Sequence, residues 1–140
     1  MLSVGQLNFP HKQEVLDMLE GVIQRRYYTN HGPLVQELEE RLQDFLGVKH
    51  VISVTNCTIG LMILVKAKGF KEIVCPAYTF SATAQALEWC ECDIRFEDVG
   101  NDHLLQGEHD IPVMGVHLWG NECKAKGTET VYDAAHAFSH

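Results

Sequence analysis

The sequence predicts an α/β protein: a mostly parallel sheet of about five strands flanked by helices in three layers. Two observations carry that expectation. Short β-branched and apolar runs alternate with segments of helical periodicity, and that alternation generates parallel sheets. In addition, polar and aromatic residues cluster directly after the strand-like runs, where α/β proteins place their ligands.

The elements follow in order. In "HKQEVLDMLEGVIQRRYY", Val15, Leu16, Leu19, Val22 and Ile23 recur at helical spacing. "GPLVQELEERLQDFLG" is a second helix: Pro33 suits its first turn, Val35, Leu38, Leu42, Phe45 and Leu46 form one face, and Gly47 stops it. "HVISV" (50–54) reads as a short buried strand. Thr58 to Lys68 has helical character, "EIVCP" is a strand closed by Pro76, and "SATAQALEWCE" is a helix rich in small residues. "DIRFEDV", "IPVMGVHLW" and "TVYDAA" supply three further strands. The stretch "GNECKAKGTE" (120–129) is too short and too broken by glycine for a good crossover helix.

Composition narrows the function classes. A chain of 140 residues is a single domain by length, and 46% hydrophobic with 21% charged residues is ordinary for a globular protein. A net charge of −8, with eleven unclustered Lys and Arg, argues against nucleic-acid or anionic-membrane partners. No stretch is long enough to cross a bilayer. "MLSVGQLNFPHK" lacks the charged head and apolar run of a signal peptide. Five cysteines, an odd number, without an export signal suggest reduced thiols and a cytoplasmic location. Their spacing fits no usual zinc framework, so no metal site is expected.

Each strand end carries chemistry-bearing residues: "TNCTIG" after 50–54, "PAYTFSAT" after "EIVC", "HLWGN" after "PVMGV" and "DAAH" after "TVY". "TNCTIG" opens a helix, so free N–H groups at Cys57 and Thr58 could receive a phosphate. Equally, Asn56 or Thr58 could simply cap that helix. Asp133 could cap a final short helix, or hold a protonated ring nitrogen, with an aromatic of "PAYTF" over that ring and His136 near a ring substituent. His117 by itself reads as a satisfied strand-end histidine.

Taken in order, "NHGPLVQELEERLQDFLGVKHVISVTNCTIGL", "EIVCPAYTFSATAQAL", "CDIRFEDV", "GVHLWGN" and "VYDAAHAF" resemble the DegT/DnrJ/EryC1/StrS sugar aminotransferase family, pyridoxal-phosphate enzymes of the aspartate-aminotransferase fold. The resemblance implies that Cys57 and Thr58 stand at the phosphate loop, with Cys where Gly is more usual. It implies that Phe80 stacks on the cofactor ring, that Asp133 pairs with the pyridinium nitrogen, and that His136 takes the place of a glutamine near the ring hydroxyl. The parent reaction would be amino transfer from glutamate to a keto sugar nucleotide, by an enzyme that is commonly a homodimer.

The departures from the family matter as much. The Schiff-base lysine lies well beyond the aspartate motif in the family, whereas Lys12, Lys49, Lys66, Lys68, Lys71, Lys124 and Lys126 all precede Asp133. The chain therefore reads as the N-terminal part of the large domain (residues 1–140), shortened internally and without the C-terminal small domain. No catalytic residue is assigned, and weak or absent cofactor binding is expected. The rival expectations are a decayed, non-catalytic paralogue that binds a ligand or partner, and an unrelated α/β nucleotide domain. With the family's intervening strands missing, "HVISV" is expected to close up beside "TVYD", giving a sheet in the order "DIRFEDV", "EIVCP", "IPVMGVHLW", "TVYDAA", "HVISV".

Overall fold

The computed structural model describes residues 11–138. It contains helices α1 (Lys12–Arg25), α2 (Pro33–Leu46), α3 (Cys57–Lys68) and α4 (Ser81–Trp89), and strands β1 (Glu72–Pro76), β2 (Asp93–Glu97), β3 (Val113–Val116) and β4 (Thr130–Asp133). The chain divides into two compact units, Met1–Ser53 and Val54–His140. No helix among the described residues is long and apolar enough to cross a membrane.

The first unit holds α1 and α2. Pro33 occupies the first turn of α2, and Gly47 ends it at φ 65°, a left-handed conformation that glycine adopts without a Cβ penalty. The segment after it is tied back to its own helix: Ser53 N–H donates to Glu39 Oε1 at 2.7 Å, and the His31 ring meets Glu39 Oε2 at 2.9 Å. The backbone N–H of Ser53, followed by His31, holds the Glu39 carboxyl below its usual range.

Here one expectation is corrected. Residues 50–54 form no strand and pair with none, and Ile52 is 79% exposed. The sheet has four strands rather than about five, in the order β2-β1-β3-β4. The apolar run is genuine, but apolar sequence alone supplies no ladder partner; a side-chain carboxylate takes the Ser53 N–H that a neighbouring strand would have taken.

The second unit is the sheet and its covers. All strand pairs are parallel, with Ile73 opposite Ile94, Val74 opposite Val113, and Val116 opposite Asp133. The order of the four strands is the expected one. Alternation along the strands separates two faces. Ile73, Cys75, Met114, Val116 and Val131 pack with Leu61 and Val65 of α3 and Ala86 and Leu87 of α4. Val74 and Val113 point the other way, onto Leu105, Cys123 and Ala125. These last three residues belong to irregular connections, not to a helix. The β3–β4 link indeed lacks a helix: Lys126 N–H donates to Gly107 O at 3.0 Å and His109 N–H to Lys126 O at 2.8 Å, so the two connections brace each other.

That strap runs so close to the sheet that Gly127 has no room for a side chain. A Cβ there would sit 2.2 Å from the Ile111 carbonyl oxygen and 2.8 Å from Val113 Cγ2. Backbone, unlike a flexible side-chain tip, cannot step aside cheaply. Gly127→Ala is therefore expected to destabilise the protein by about 1–3 kcal/mol, the usual cost of overpacking. Urea unfolding of the two proteins checks this, and a difference below about 0.5 kcal/mol would contradict the close approach.

Candidate functional site

A cleft of about 220 Å³ opens at the carboxyl ends of β1, β3 and β4, between the starts of α3 and α4. All five residues singled out in the sequence line it: Cys57, Thr58, Phe80, Asp133 and His136. The parallel sheet explains the convergence. Strand ends and helix starts of successive units meet at one edge, so residues 76 positions apart become neighbours.

Asp133 is the centre of the cleft. It is the last residue of β4 and only 8% exposed. The pleat turns it to the face covered by α3 and α4, where three donors meet its carboxylate. Thr83 Oγ1 donates to Oδ2 at 2.8 Å, the Cys57 thiol lies 3.7 Å from Oδ1, and Ala135 N–H donates to Oδ1 at 3.2 Å. Hydrogen bonds to a charged group contribute about 1.5–3 kcal/mol each, which offsets the cost of burying the carboxylate. The Ala135 contact is a local turn closed by the aspartate side chain. No helix follows, since residues 134–138 form a turn with Ala137 N–H on Ala134 O. The helix-capping alternative for Asp133 is thus not realised: one of its oxygens closes a local turn and caps no helix.

At α3 the capping reading is the one the structure shows. Asn56 is the cap, its Oδ1 accepting from Ile59 N–H at 2.9 Å. By helix geometry, Cys57 and Thr58 then retain first-turn N–H groups without an intrahelical acceptor. Burial, and secondarily the charge of Asp133, raises the Cys57 thiol pKa. Burial likewise pushes the Cys75 thiol up to about 12, with Asp133 again contributing. Phe80, immediately before α4, is 74% exposed and lines the cleft.

Sequence reasoning missed Thr83. It is 1% exposed, and with its hydroxyl proton committed to Asp133 it accepts from Thr79 Oγ1 at 3.1 Å. The available signal was its place in the first turn of a helix that starts at the sheet's carboxyl edge. His117 is the satisfied strand-end residue expected: its Nδ1 accepts from Cys123 N–H at 3.0 Å, and its ring stacks on Tyr132 with centroids 4.8 Å apart. With Nδ1 an acceptor, the proton of the neutral ring sits on Nε2.

The arrangement offers an aromatic face, a buried carboxylate and two helix-start N–H groups around one opening. It suits a flat, cationic ring bearing an anionic arm, so the residues present fit pyridoxal phosphate. Among the described residues, no lysine lines the cleft.

Removing the charge of Asp133 lowers the Cys57 thiol pKa and exposes more thiolate. Asp133→Asn is therefore expected to speed alkylation of Cys57 by iodoacetamide at pH 8 by about two-fold or more. Peptide mapping by mass spectrometry follows that site, and an unchanged or slower rate would contradict the contact. Cys75, Cys90, Cys92 and Cys123 are buried and should remain unlabelled until the protein unfolds.

Comparison with known proteins bears on this cleft. The family model described as "DegT/DnrJ/EryC1/StrS aminotransferase family" matches residues 10–139. The chain is 31% identical to the dTDP-4-amino-4,6-dideoxy-D-glucose transaminase of Escherichia coli, over 98% of this chain and 42% of that protein. It is 30% identical to the spore coat polysaccharide biosynthesis protein SpsC of Bacillus subtilis, over 89% of this chain and 36% of that one. Among solved structures, DesI in the presence of its TDP-sugar product superposes with a TM-score of 0.84 at 31% identity, covering 99% of this chain and 40% of that chain. The chain thus spans about 42% of the length of the E. coli relative.

Proposed function

The chain belongs to the DegT/DnrJ/EryC1/StrS aminotransferase family, and from that premise we propose that its cleft is the pyridoxal-phosphate-binding part of a sugar aminotransferase. The observation that carries this reading is the convergence of Cys57, Thr58, Phe80, Asp133 and His136 on one cleft around a buried, triply held carboxylate. When bound, the cofactor supplies an electron sink for labilising bonds at an amino-bearing carbon. The chain's own residues bind and orient it. The N–H groups at the start of α3 take the phosphate, helped by the helix dipole. Phe80 covers one ring face. Asp133 accepts a proton-bearing ring nitrogen and keeps that proton in place. Thr83 and the Ala135 N–H stop the carboxylate from rotating away. His136, which lines the same cleft, would face a ring substituent.

The enzyme of which these residues would form part moves an amino group to a nucleotide-linked keto sugar, giving a nucleotide-linked amino sugar of the kind named for the relatives. This chain alone binds the cofactor weakly and without a covalent bond, because no lysine reaches the cleft. It is not a transaminase by itself. It also self-associates as a dimer: Leu19 and Ile23 on α1 and Leu38 on α2 are half or more exposed, and exposed apolar faces of this kind favour self-association. Light scattering on the purified chain reports the dimer.

Titration of the 140-residue chain with pyridoxal phosphate, followed by absorbance and equilibrium dialysis, tests the placement. Loss of a charged hydrogen bond of at least about 1.5 kcal/mol weakens binding by about ten-fold or more in Asp133→Ala. The exposed Phe80→Ala should also weaken it while leaving the fold intact. Equal affinity in both variants refutes the placement. Borohydride treatment should fix the cofactor to no lysine; stoichiometric labelling of one lysine would overturn the non-covalent reading.

A further inference from the structure

Two threonine hydroxyls stand in line behind the buried carboxylate. Thr83 Oγ1 is 2.8 Å from Asp133 Oδ2, and Thr79 Oγ1 is 3.1 Å from Thr83 Oγ1. Thr83 is 1% exposed, whereas Thr79 lines the cleft. Packing does not account for the pair, because valine has the shape of threonine and fills a buried position with no hydroxyl to satisfy. Helix capping does not account for it either. Thr79 stands just ahead of α4, where a threonine commonly caps, yet no side-chain oxygen caps that helix.

The direction of this chain is fixed by its end. An ionised carboxylate only accepts, so Thr83 donates to Asp133, and the Thr83 oxygen then accepts from Thr79. A helical threonine has a competing acceptor in the carbonyl oxygen four residues back, here that of Thr79 itself. By placing its proton on the Thr83 oxygen, the Thr79 hydroxyl turns the Thr83 proton towards Asp133 and polarises it. Counting acceptor positions shows what Asp133 has left. A carboxylate offers about four. The Cys57 thiol and the Ala135 N–H use those of Oδ1, and Thr83 uses one on Oδ2. Among the described residues, the open position is therefore on Oδ2, the oxygen that Thr83 holds.

We propose that Thr79 is a positioning residue for Asp133: acting through Thr83, it presents Oδ2 as the oxygen that receives the ring nitrogen of the cofactor. This rests on the pyridoxal-phosphate reading above and adds to it the receiving atom and the residue that orients it. Thr79 itself takes up no proton from the ring. Without its hydroxyl, Thr83 turns to the helix carbonyl, the carboxylate loses one of its donors, and Oδ2 is no longer held in place. A carboxylate released in this way also drifts from the Cys57 thiol.

The test has two arms, both on the 140-residue chain. Without ligand, alkylation of Cys57 by iodoacetamide at pH 8 is expected to rise about two-fold or more in Thr79→Val and in Thr83→Val, and to keep the wild-type rate in Thr83→Ser. Cys75 and Cys90, which are buried, should stay unlabelled, and this separates the effect from a general loosening of the fold. With ligand, the probe is pyridoxine phosphate, which has the ring and the phosphate but no aldehyde to react with lysines. Isotope-labelled at its ring nitrogen, it reports by NMR the pH at which the bound ring loses its proton. That pH is expected to fall by about one unit or more in both valine variants and to return in Thr83→Ser. A purely electrostatic effect runs the other way, since removing a donor makes the carboxylate a stronger base. An unchanged or raised titration in both valine variants, or an unchanged or slower Cys57 rate in both, overturns the positioning role. If pyridoxine phosphate does not bind, the cofactor reading fails and takes this proposal with it; if it binds and the titration does not move, only this proposal fails.

Discussion

Burying a carboxylate at the mouth of a parallel sheet is the constraint around which the second unit is arranged. Asp133 can leave water only if donors replace it, and the donors come from three different places in the chain. Thr83 arrives on α4, Cys57 on α3, and Ala135 by a local turn. For Thr83 to reach, α4 must start at the carboxyl end of β1. For Cys57 to reach, α3 must start at the same edge. A parallel βα arrangement satisfies both at once, which an antiparallel sheet of the same strands would not. The small residues of α4 follow from the same demand, since Ala86 is fully buried against the sheet and a larger side chain would lift the helix away.

The opposite face of the sheet is covered differently. Two irregular connections, around Leu105 and from Cys123 to Gly127, take the place that a crossover helix usually fills. They succeed because small side chains let them lie flat. Cys123 and Ala125 are nearly fully buried; the Cys123 N–H bonds to the His117 ring, and the Lys126 backbone beside Ala125 bonds to Gly107 and His109 of the other connection. His117 is thereby a structural residue: its acceptor nitrogen satisfies a buried N–H that the strap would otherwise leave unpaired. Tyr132 is stacked beneath it, and a Cβ on Gly115 would lie 2.6 Å from the Tyr132 ring. The strap and the site are therefore coupled through β3 and β4: the strand residues that face the strap alternate with those that face the cleft.

Much of this protein was legible in its sequence. The period-2 and period-3.6 patterns placed α1 to α4 and β1 to β4, with boundary differences of a few residues at most. Gly47 ended α2 and Pro76 closed β1 as their backbone chemistry requires. Residue types after the strand-like runs pointed to Cys57, Thr58, Asp133 and His136, and the family resemblance to Phe80; they line one cleft because strand ends and helix starts of a parallel sheet meet at one edge. These are local properties, or topological ones that hold for any parallel sheet.

Only the tertiary structure decided the rest, wherever the outcome depended on a partner distant in the chain. "HVISV" has the composition of a strand, but a strand exists through its ladder, and the Ser53 N–H found Glu39 instead. Thr83 looks like any small helical residue until β4 brings Asp133 to 2.8 Å from its hydroxyl. Asn56, not Thr58, caps α3, and that choice leaves the N–H groups of Cys57 and Thr58 open. Tyr78, His103 and Trp119 are far apart in the sequence and meet only because three strands end at one edge. Periodicity and residue type are written locally; hydrogen-bond partners across the sheet are fixed only when the chain closes on itself.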